Sequence, residues 1–126
     1  MFCYYWLMVD FAIKFEELLV WQKAREFSKE IYLATKEWRD FELKDQIRRA
    51  VVSISSNIAE GFERGSKDDF ARFMYIAKGS GAEVRSQLYL ALDLGYLSKD
   101  RFVELNDNAD HIVKLLTKFI QSLKKK

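Results

Sequence analysis

The sequence has few of the residues that interrupt helices or build common catalytic sites. Of its 126 residues, none is proline and only five are glycine, so long helices are favoured over strands and turns. The one cysteine, Cys3, excludes an internal disulfide and a cysteine-based metal site. It fits a reducing compartment, and we therefore expect a cytoplasmic protein.

Motifs for catalysis are also scarce. The one histidine, His111, excludes a metal-binding HExxH pair, and no nucleophile-elbow motif surrounds any serine. The stretch GFERGS has no Walker lysine at the required spacing. The neighbouring acids Asp68 and Asp69 fit the first turn of a helix better than an acid–base pair. We therefore expect no enzymatic activity, no metal and no cofactor.

The net charge is small. The chain carries +2 at neutral pH, and its last three lysines supply more than that whole excess. A strongly basic nucleic-acid-binding protein would show a larger surplus. Any basic surface must therefore come from the placement of charges and not from their total.

The first residues, MFCYYWLMVDFAI, are strongly apolar. They are too few to span a membrane, which takes roughly 20 apolar residues, and they lack the cationic start of a secretory signal. We interpret residues 1–14 as an apolar tail, or as the product of an upstream start codon with Met8 as the true start. A partner-binding arm is the alternative. Residues 15–126 are expected to form one domain, with no membrane partner.

Apolar residues recur every three or four positions in four segments, which is typical of amphipathic helices. These stripes run from Val20 to Trp38, from Leu43 to Gly61, from Phe70 to Ala91 and from Phe102 to Leu123. No segment shows the period of two that strands require. The pattern predicts an all-α protein with helices of about 20 to 28 residues.

Capping residues mark the connections between the helices. Gly65 and Gly95 are suited to end helices, and Ser66 and Ser98 are suited to begin the next ones. Such short connections make consecutive helices antiparallel neighbours. The sequence therefore predicts an antiparallel up-down-up-down four-helix bundle.

More apolar residues are present than one bundle core needs. The first and third helices carry extra ones outside their stripes, such as Tyr32, Leu33, Ile76 and Leu90. A monomeric bundle needs only about three apolar positions in seven. Because large exposed apolar patches usually mark interfaces, the surplus predicts a homo-oligomer.

Polar residues follow one edge of the second stripe: Ser53, Asn57, Glu60 and Arg64. We call them the polar seam and interpret them as structural, covered by a neighbouring helix and fixing its register. A polar ligand pocket is the functional alternative. The third helix contains GSGAE, and because each glycine inside a helix costs about 1 kcal/mol, we expect a close helix contact or a kink there.

Two segments carry a resemblance to a known family: LLVWQKAREFSKEIY and QIRRAVVSISSNIAEGFERGSKDDFARFMYIAKGSGAEVRSQLYLALDLGYL. They resemble the four helix bundle protein family, also called the 23S rRNA intervening-sequence protein family, from about Phe15 to Leu97. The last helix matches in pattern only. Ser55 stands where the family commonly has proline, which implies a straighter second helix here.

The resemblance implies a ring-like homopentamer of antiparallel bundles. Such a ring is similar to the assembly of the accessory variability determinant proteins of diversity-generating retroelements. Those proteins bind nucleic acid and a reverse transcriptase. Family members encoded within 23S rRNA genes are associated with RNA binding. The resemblance thus implies RNA or DNA, a reverse transcriptase and further copies of the chain as partners.

Two functions stay open at this point. The first is a non-enzymatic oligomeric scaffold that binds RNA or DNA, and the second is a protein-interaction scaffold without nucleic acid. Acidic and basic residues nearly balance between residues 41 and 86, so an ordinary solvated surface explains those charges equally well. The candidate nucleic-acid contacts are Arg48, Arg49, Arg64, Lys67, Lys78, Arg85, Lys114, Lys118, Lys124, Lys125 and Lys126.

Overall fold

The computed structural model describes residues 14–125. A short 3₁₀ turn, Phe15–Glu17, precedes four α-helices. The helices are α1 (Leu19–Ala34), α2 (Phe41–Glu63), α3 (Lys67–Asp93) and α4 (Lys99–Lys124). No strand occurs within residues 14–125, and the predicted all-α fold is confirmed. The interpretation of the apolar tail and the contact assigned to Lys126 lie outside the described residues.

The first two helices and the second and third pack in antiparallel pairs. The Ser28 hydroxyl of α1 donates to the Val51 carbonyl of α2 at 3.2 Å. Arg48, earlier in α2, reaches the later residue Thr35 just beyond α1. The hydroxyls of Ser53 in α2 and Ser80 in α3 lie 2.9 Å apart. Gly61, late in α2, lies against Phe73, early in α3, so positions late in one helix meet positions early in the next.

The fourth helix completes the bundle. Arg85 of α3 contacts Asn106 of α4, whereas the earlier residue Tyr75 contacts Lys124 near the end of α4. Helix α4 also packs on α1, where the Asn108 amide donates to Glu30 at 2.9 Å. Each helix thus packs on two neighbours in the predicted up-down-up-down order.

The predicted stripes form one shared core. Every stripe residue is buried except Ala34, which is half-buried. Leu116 of α4 and Phe27 of α1 are almost wholly shielded from solvent. Two of the surplus apolar residues, Leu18 and Met74, also belong to this core.

The predicted caps are present. The Ser66 hydroxyl accepts a hydrogen bond from the Asp69 amide, and the Ser98 hydroxyl accepts one from the Arg101 amide. Gly65 has a φ of 86°, a left-handed conformation that favours glycine at a helix end. These local signals therefore set the end of α2 and the starts of α3 and α4.

The expected length was wrong for α1, which has 16 residues instead of about 20 to 28. The helix ends because the Thr35 hydroxyl donates to the Ile31 carbonyl, and Arg48 of α2 donates to the Tyr32 carbonyl. Trp38, the last residue of the first stripe, lies in the connection that follows α1. It is buried there, with its ring centre 5.5 Å from that of Tyr96.

Close helix contact explains two glycines. A β-carbon at Gly61 of α2 would lie 2.6 Å from the Phe73 Cβ, and one at Gly81 of α3 would lie 2.8 Å from Val113 Cγ2. Glycine is thus required where α3 packs on α2 and α4. Helix α2 is continuous through Ser55, whose hydroxyl donates to the Val52 carbonyl.

Candidate nucleic-acid interface

Six of the predicted basic contacts lie on two adjacent helices, on α3 or on and just beyond α4. Lys78 and Arg85 are seven residues apart on α3 and so lie on the same side of that helix. Lys114 and Lys118 follow Asp110 at four-residue steps on α4. We call this surface the basic face, and its members are Lys78, Arg85, Lys114, Lys118, Lys124 and Lys125.

A carboxylate at the centre of the basic face orders two of its cations. Arg85 donates to Asn106 Oδ1 at 3.3 Å, and its guanidinium lies 3.5 Å from Asp110 Oδ1. The Lys114 ammonium lies 3.0 Å from the other oxygen of Asp110. The hydrogen bond from Lys114, with a contribution from the charge of Arg85, lowers the pKa of the Asp110 carboxyl. Asp110 is therefore ionised at neutral pH and fixes the two cations in place.

Two of the remaining cations of the basic face, Lys78 and Lys118, are more available. The Lys124 ammonium donates to the Tyr75 hydroxyl at 2.9 Å and lies 4.9 Å from the centre of its ring. Lys78 is half-buried and Lys118 is exposed, and neither has a partner among the described residues. Lys125 is exposed just beyond the end of α4. This mixture of fixed and free cations beside an exposed tyrosine suits contact with a phosphate backbone.

Arg48 lies elsewhere and has a structural role. Its Nε donates to the Thr35 hydroxyl at 2.9 Å, and its guanidinium donates to the Tyr32 carbonyl. The guanidinium carbon also lies 4.3 Å from the centre of the Tyr32 ring. Two of its N–H donors therefore hold the end of α1 against α2.

The other α2 arginines are also separate from the basic face. Arg64 pairs with Glu60 at 3.2 Å and lies over the Phe73 ring, at the end of α2. Arg49 is exposed and has no partner among the described residues. Lys67 begins α3 at the same end as Arg64. These residues do not join the cations of α4.

The outer side of α2 has mixed charge. A shallow groove of about 610 Å³ there is lined by Arg48 and Arg49 but also by Asp45 and Glu60. The opposite signs would repel as well as attract a polyanion, so this groove is a poorer candidate than the basic face.

The polar seam divides into two parts. Ser53 and Asn57 are half-buried, and the Asn57 amide donates to the Ser53 carbonyl at 2.8 Å and to its hydroxyl at 2.9 Å. The Ser53 hydroxyl in turn meets buried Ser80 of α3. Glu60 and Arg64 are exposed and pair with each other, so the expected covering by a neighbouring helix does not extend to them. The inner part links two helices, whereas the outer part faces solvent.

Sequence reasoning missed the residues that organise the basic face. Asp110, Asn106 and Tyr75 were not among the predicted contacts, although each touches a residue that was. A signal was present for Asp110, because an acidic residue four positions before Lys114 favours an ion pair on a helix. Nothing in the sequence linked Tyr75 with Lys124, since that contact depends on how α3 and α4 pack.

Other kinds of site find no support in residues 14–125. That part of the chain contains no group of three or more histidine, cysteine or acidic residues placed to hold a metal ion. None of its helices combines the length and apolar character needed to cross a lipid bilayer.

Fold and surface together define a class: a small antiparallel four-helix bundle with several cations on α3 and α4. The family model described as "23S rRNA-intervening sequence protein" matches residues 16–118. The chain belongs to this family, as the resemblance predicted. No significant match was found among curated proteins.

One solved structure supports the same assignment. It is the crystal structure of a protein with unknown function from the S23 ribosomal protein family of Bacteroides thetaiotaomicron. The two chains are 28% identical, with a TM-score of 0.77, and the match covers 82% of this chain and 96% of the other. The bundle is therefore similar to that protein over nearly its whole length.

Proposed function

We propose that the protein is a non-enzymatic, self-associating helical scaffold of the cytoplasm whose basic face binds RNA or DNA. The observation that supports this most is that two adjacent helices of a chain with almost no net charge carry Lys78, Arg85, Lys114, Lys118, Lys124 and Lys125. Asp110 is the carboxylate that pairs with two of these cations, Arg85 and Lys114.

Binding would be electrostatic and largely independent of sequence. Lysine and arginine contacts with phosphates release condensed counterions, and this release supplies the binding free energy. Exposed Tyr75 offers one ring on which an unpaired base could stack. We therefore expect single-stranded RNA or DNA to bind at least as well as a duplex.

The test is a salt titration of binding. Fluorescence anisotropy would follow labelled single-stranded RNA and its duplex, at about 50 mM and about 200 mM salt. We expect the affinity to fall steeply with salt. An absence of binding at the lower concentration, or an affinity that salt does not change, would contradict the proposal.

A second candidate function is a protein-interaction scaffold without nucleic acid. It is favoured by large apolar side chains left exposed near the α1–α2 and α3–α4 connections, including Phe41 at 67%, Leu33 at 61% and Leu94 at 49%. The reverse transcriptase that the resemblance implies would be a partner of this kind. The ring of five copies is also implied only by the resemblance, and light scattering would give the copy number from the chain mass of 14.9 kDa.

A further inference from the structure

Two exposed tyrosines of α3 stand where this helix packs on α4. The Tyr75 hydroxyl accepts a hydrogen bond from the Lys124 ammonium at 2.9 Å. The Tyr89 ring centre lies 4.8 Å from that of Phe102. Because Lys124 and Phe102 both belong to α4, the tyrosines mark one line on the surface, which we call the α3–α4 border. Tyr75 is 47% exposed and Tyr89 is 49% exposed, so both rings are accessible from solvent.

Two cations of α3 lie between these rings. Tyr75 and Tyr89 are 14 residues apart, a distance of about 21 Å along a helix. Lys78 comes three residues after the first ring, and Arg85 comes four residues before the second. At these spacings each cation is a neighbour of the ring on the helix surface. Arg85 also contacts Asn106 of α4, which places it on the border. Helix α3 thus presents a ring, two cations and a second ring in that order.

Helix α4 adds cations along the same border. The helices are antiparallel, so the part of α4 between Asn106 and Lys124 runs beside the part of α3 between the rings. Lys114 and Lys118 lie in this part of α4, and both are exposed. Lys118, like Lys78, has no partner among the described residues. The border therefore offers free cations from both helices between its two rings.

This order of rings and cations suits an unpaired nucleic-acid strand better than a duplex. In a duplex the faces of the bases are stacked on one another, and a protein reaches only base edges in the grooves. In a single strand each base has a face that can stack on an aromatic side chain, while lysine and arginine contact the phosphates. A stacked strand advances about 3.4 Å per nucleotide, so about six nucleotides would span the two rings.

We propose that a single strand of RNA or DNA runs along the α3–α4 border, with one base stacked on Tyr75 and another on Tyr89. Lys78 and Lys118 then contact phosphates of the nucleotides between these bases. Tyr89 is the second stacking residue, and the pair of rings makes the site prefer a single strand to a duplex. This inference rests on the proposed function, because it names the form of nucleic acid that the basic face binds.

Removal of one ring at a time tests the inference. Tyr75→Leu and Tyr89→Leu each delete a ring but keep an apolar side chain. Tyr32→Leu is the matched control, because exposed Tyr32 contacts Arg48 where α1 packs on α2, away from the border. Fluorescence anisotropy would compare a labelled single strand of about twelve nucleotides, long enough to reach both rings, with the duplex that it forms with its complement.

Each border variant should lose affinity for the single strand by roughly fivefold or more, because base–aromatic stacking on the missing ring is lost. Affinity for the duplex should not change, and the control should bind both forms like the wild type. Stacking releases no counterions, so Tyr89→Leu should weaken binding without changing the slope of log affinity against log salt. Tyr89→Phe keeps the ring and its packing on Phe102, and it should therefore retain the wild-type affinity.

The possible failures of the two proposals can be told apart. If Tyr75→Leu and Tyr89→Leu bind the single strand as well as the Tyr32→Leu control, the inference is overturned. Equal losses for the single strand and the duplex would overturn it too. In both cases the salt-dependent binding of the wild type, and with it the proposed function, would stand. An absence of wild-type binding to either form at low salt would overturn both proposals.

Discussion

The two polar regions of this bundle differ in what their side chains contact. In the inner part of the polar seam, Asn57 donates to Ser53, and the Ser53 hydroxyl bonds to Ser80 of α3. On the basic face, Lys78 and Lys118 have no described partner. Polar groups that satisfy one another within the chain contribute to stability, whereas unpaired exposed cations are free to bind a ligand. The difference predicts that substitutions in the seam change stability and that substitutions on the face change binding.

The largest expected effect is at the α2–α3 contact. Gly61→Ala would place a β-carbon 2.6 Å from the Phe73 Cβ, and such overpacking costs about 1 to 3 kcal/mol. Chemical denaturation would measure the free energy of unfolding. The matched control is Gly79→Ala, where the space is open and alanine should raise helix stability by up to about 1 kcal/mol. If the two changes destabilise equally, the close contact of α2 and α3 is wrong.

A smaller loss of stability is expected when the Ser53 hydroxyl, which links the polar seam to α3, is removed. Ser53→Ala leaves the buried Ser80 hydroxyl without its partner and should cost about 1 to 2 kcal/mol. The double variant Ser53→Ala/Ser80→Ala should recover part of this loss, because removing both partners leaves no buried group unpaired. Ser56→Ala, on the exposed side of α2, serves as the control. A double variant that is less stable than the two separate losses combined would argue against a direct pair.

On the basic face we expect a substitution to change binding and to leave stability almost unchanged. Asp110→Asn removes the carboxylate between Arg85 and Lys114. The gain in positive charge should tighten nucleic-acid binding. Stability should change little, since exposed ion pairs contribute little to it. Anisotropy and thermal melting would be measured on the same samples. Weaker binding by Asp110→Asn would contradict this expectation. It would mean that the carboxylate favours binding by holding the cations in place more than its negative charge opposes binding.

The smallest effect concerns proton binding. Because Lys114 lowers the pKa of Asp110, Lys114→Ala should raise that pKa towards its ordinary value, as measured by NMR titration. A carboxyl with a lowered pKa stabilises the folded state above its unfolded pKa, and this contribution is lost as the pH falls through the folded pKa. The wild type should therefore lose slightly more stability on acidification than Lys114→Ala. An unchanged pKa would contradict the observed ion pair.

The fold was largely predictable from the sequence, and the site only in part. The apolar stripes, Ser66, Ser98 and the two turn glycines carry local signals, so the bundle followed from them. The end of α1 could not be predicted in this way, because it depends on Arg48 reaching the Tyr32 carbonyl from another helix. For the same reason the sequence could not separate Arg48, which is committed to α1, from the cations of the basic face.

The central claim is that position, not total charge, makes the basic face bind nucleic acid. The direct test compares two triple variants of equal net charge: Lys78, Lys114 and Lys118 changed to glutamine on the face, and exposed Lys23, Lys29 and Lys36 changed to glutamine on the α1 side. Binding of labelled single-stranded RNA would be titrated against salt. We predict weaker binding for the face variant only, with a salt slope smaller by about 0.7 for each phosphate that the protein no longer neutralises. Equal reductions of affinity in the two variants would contradict the account.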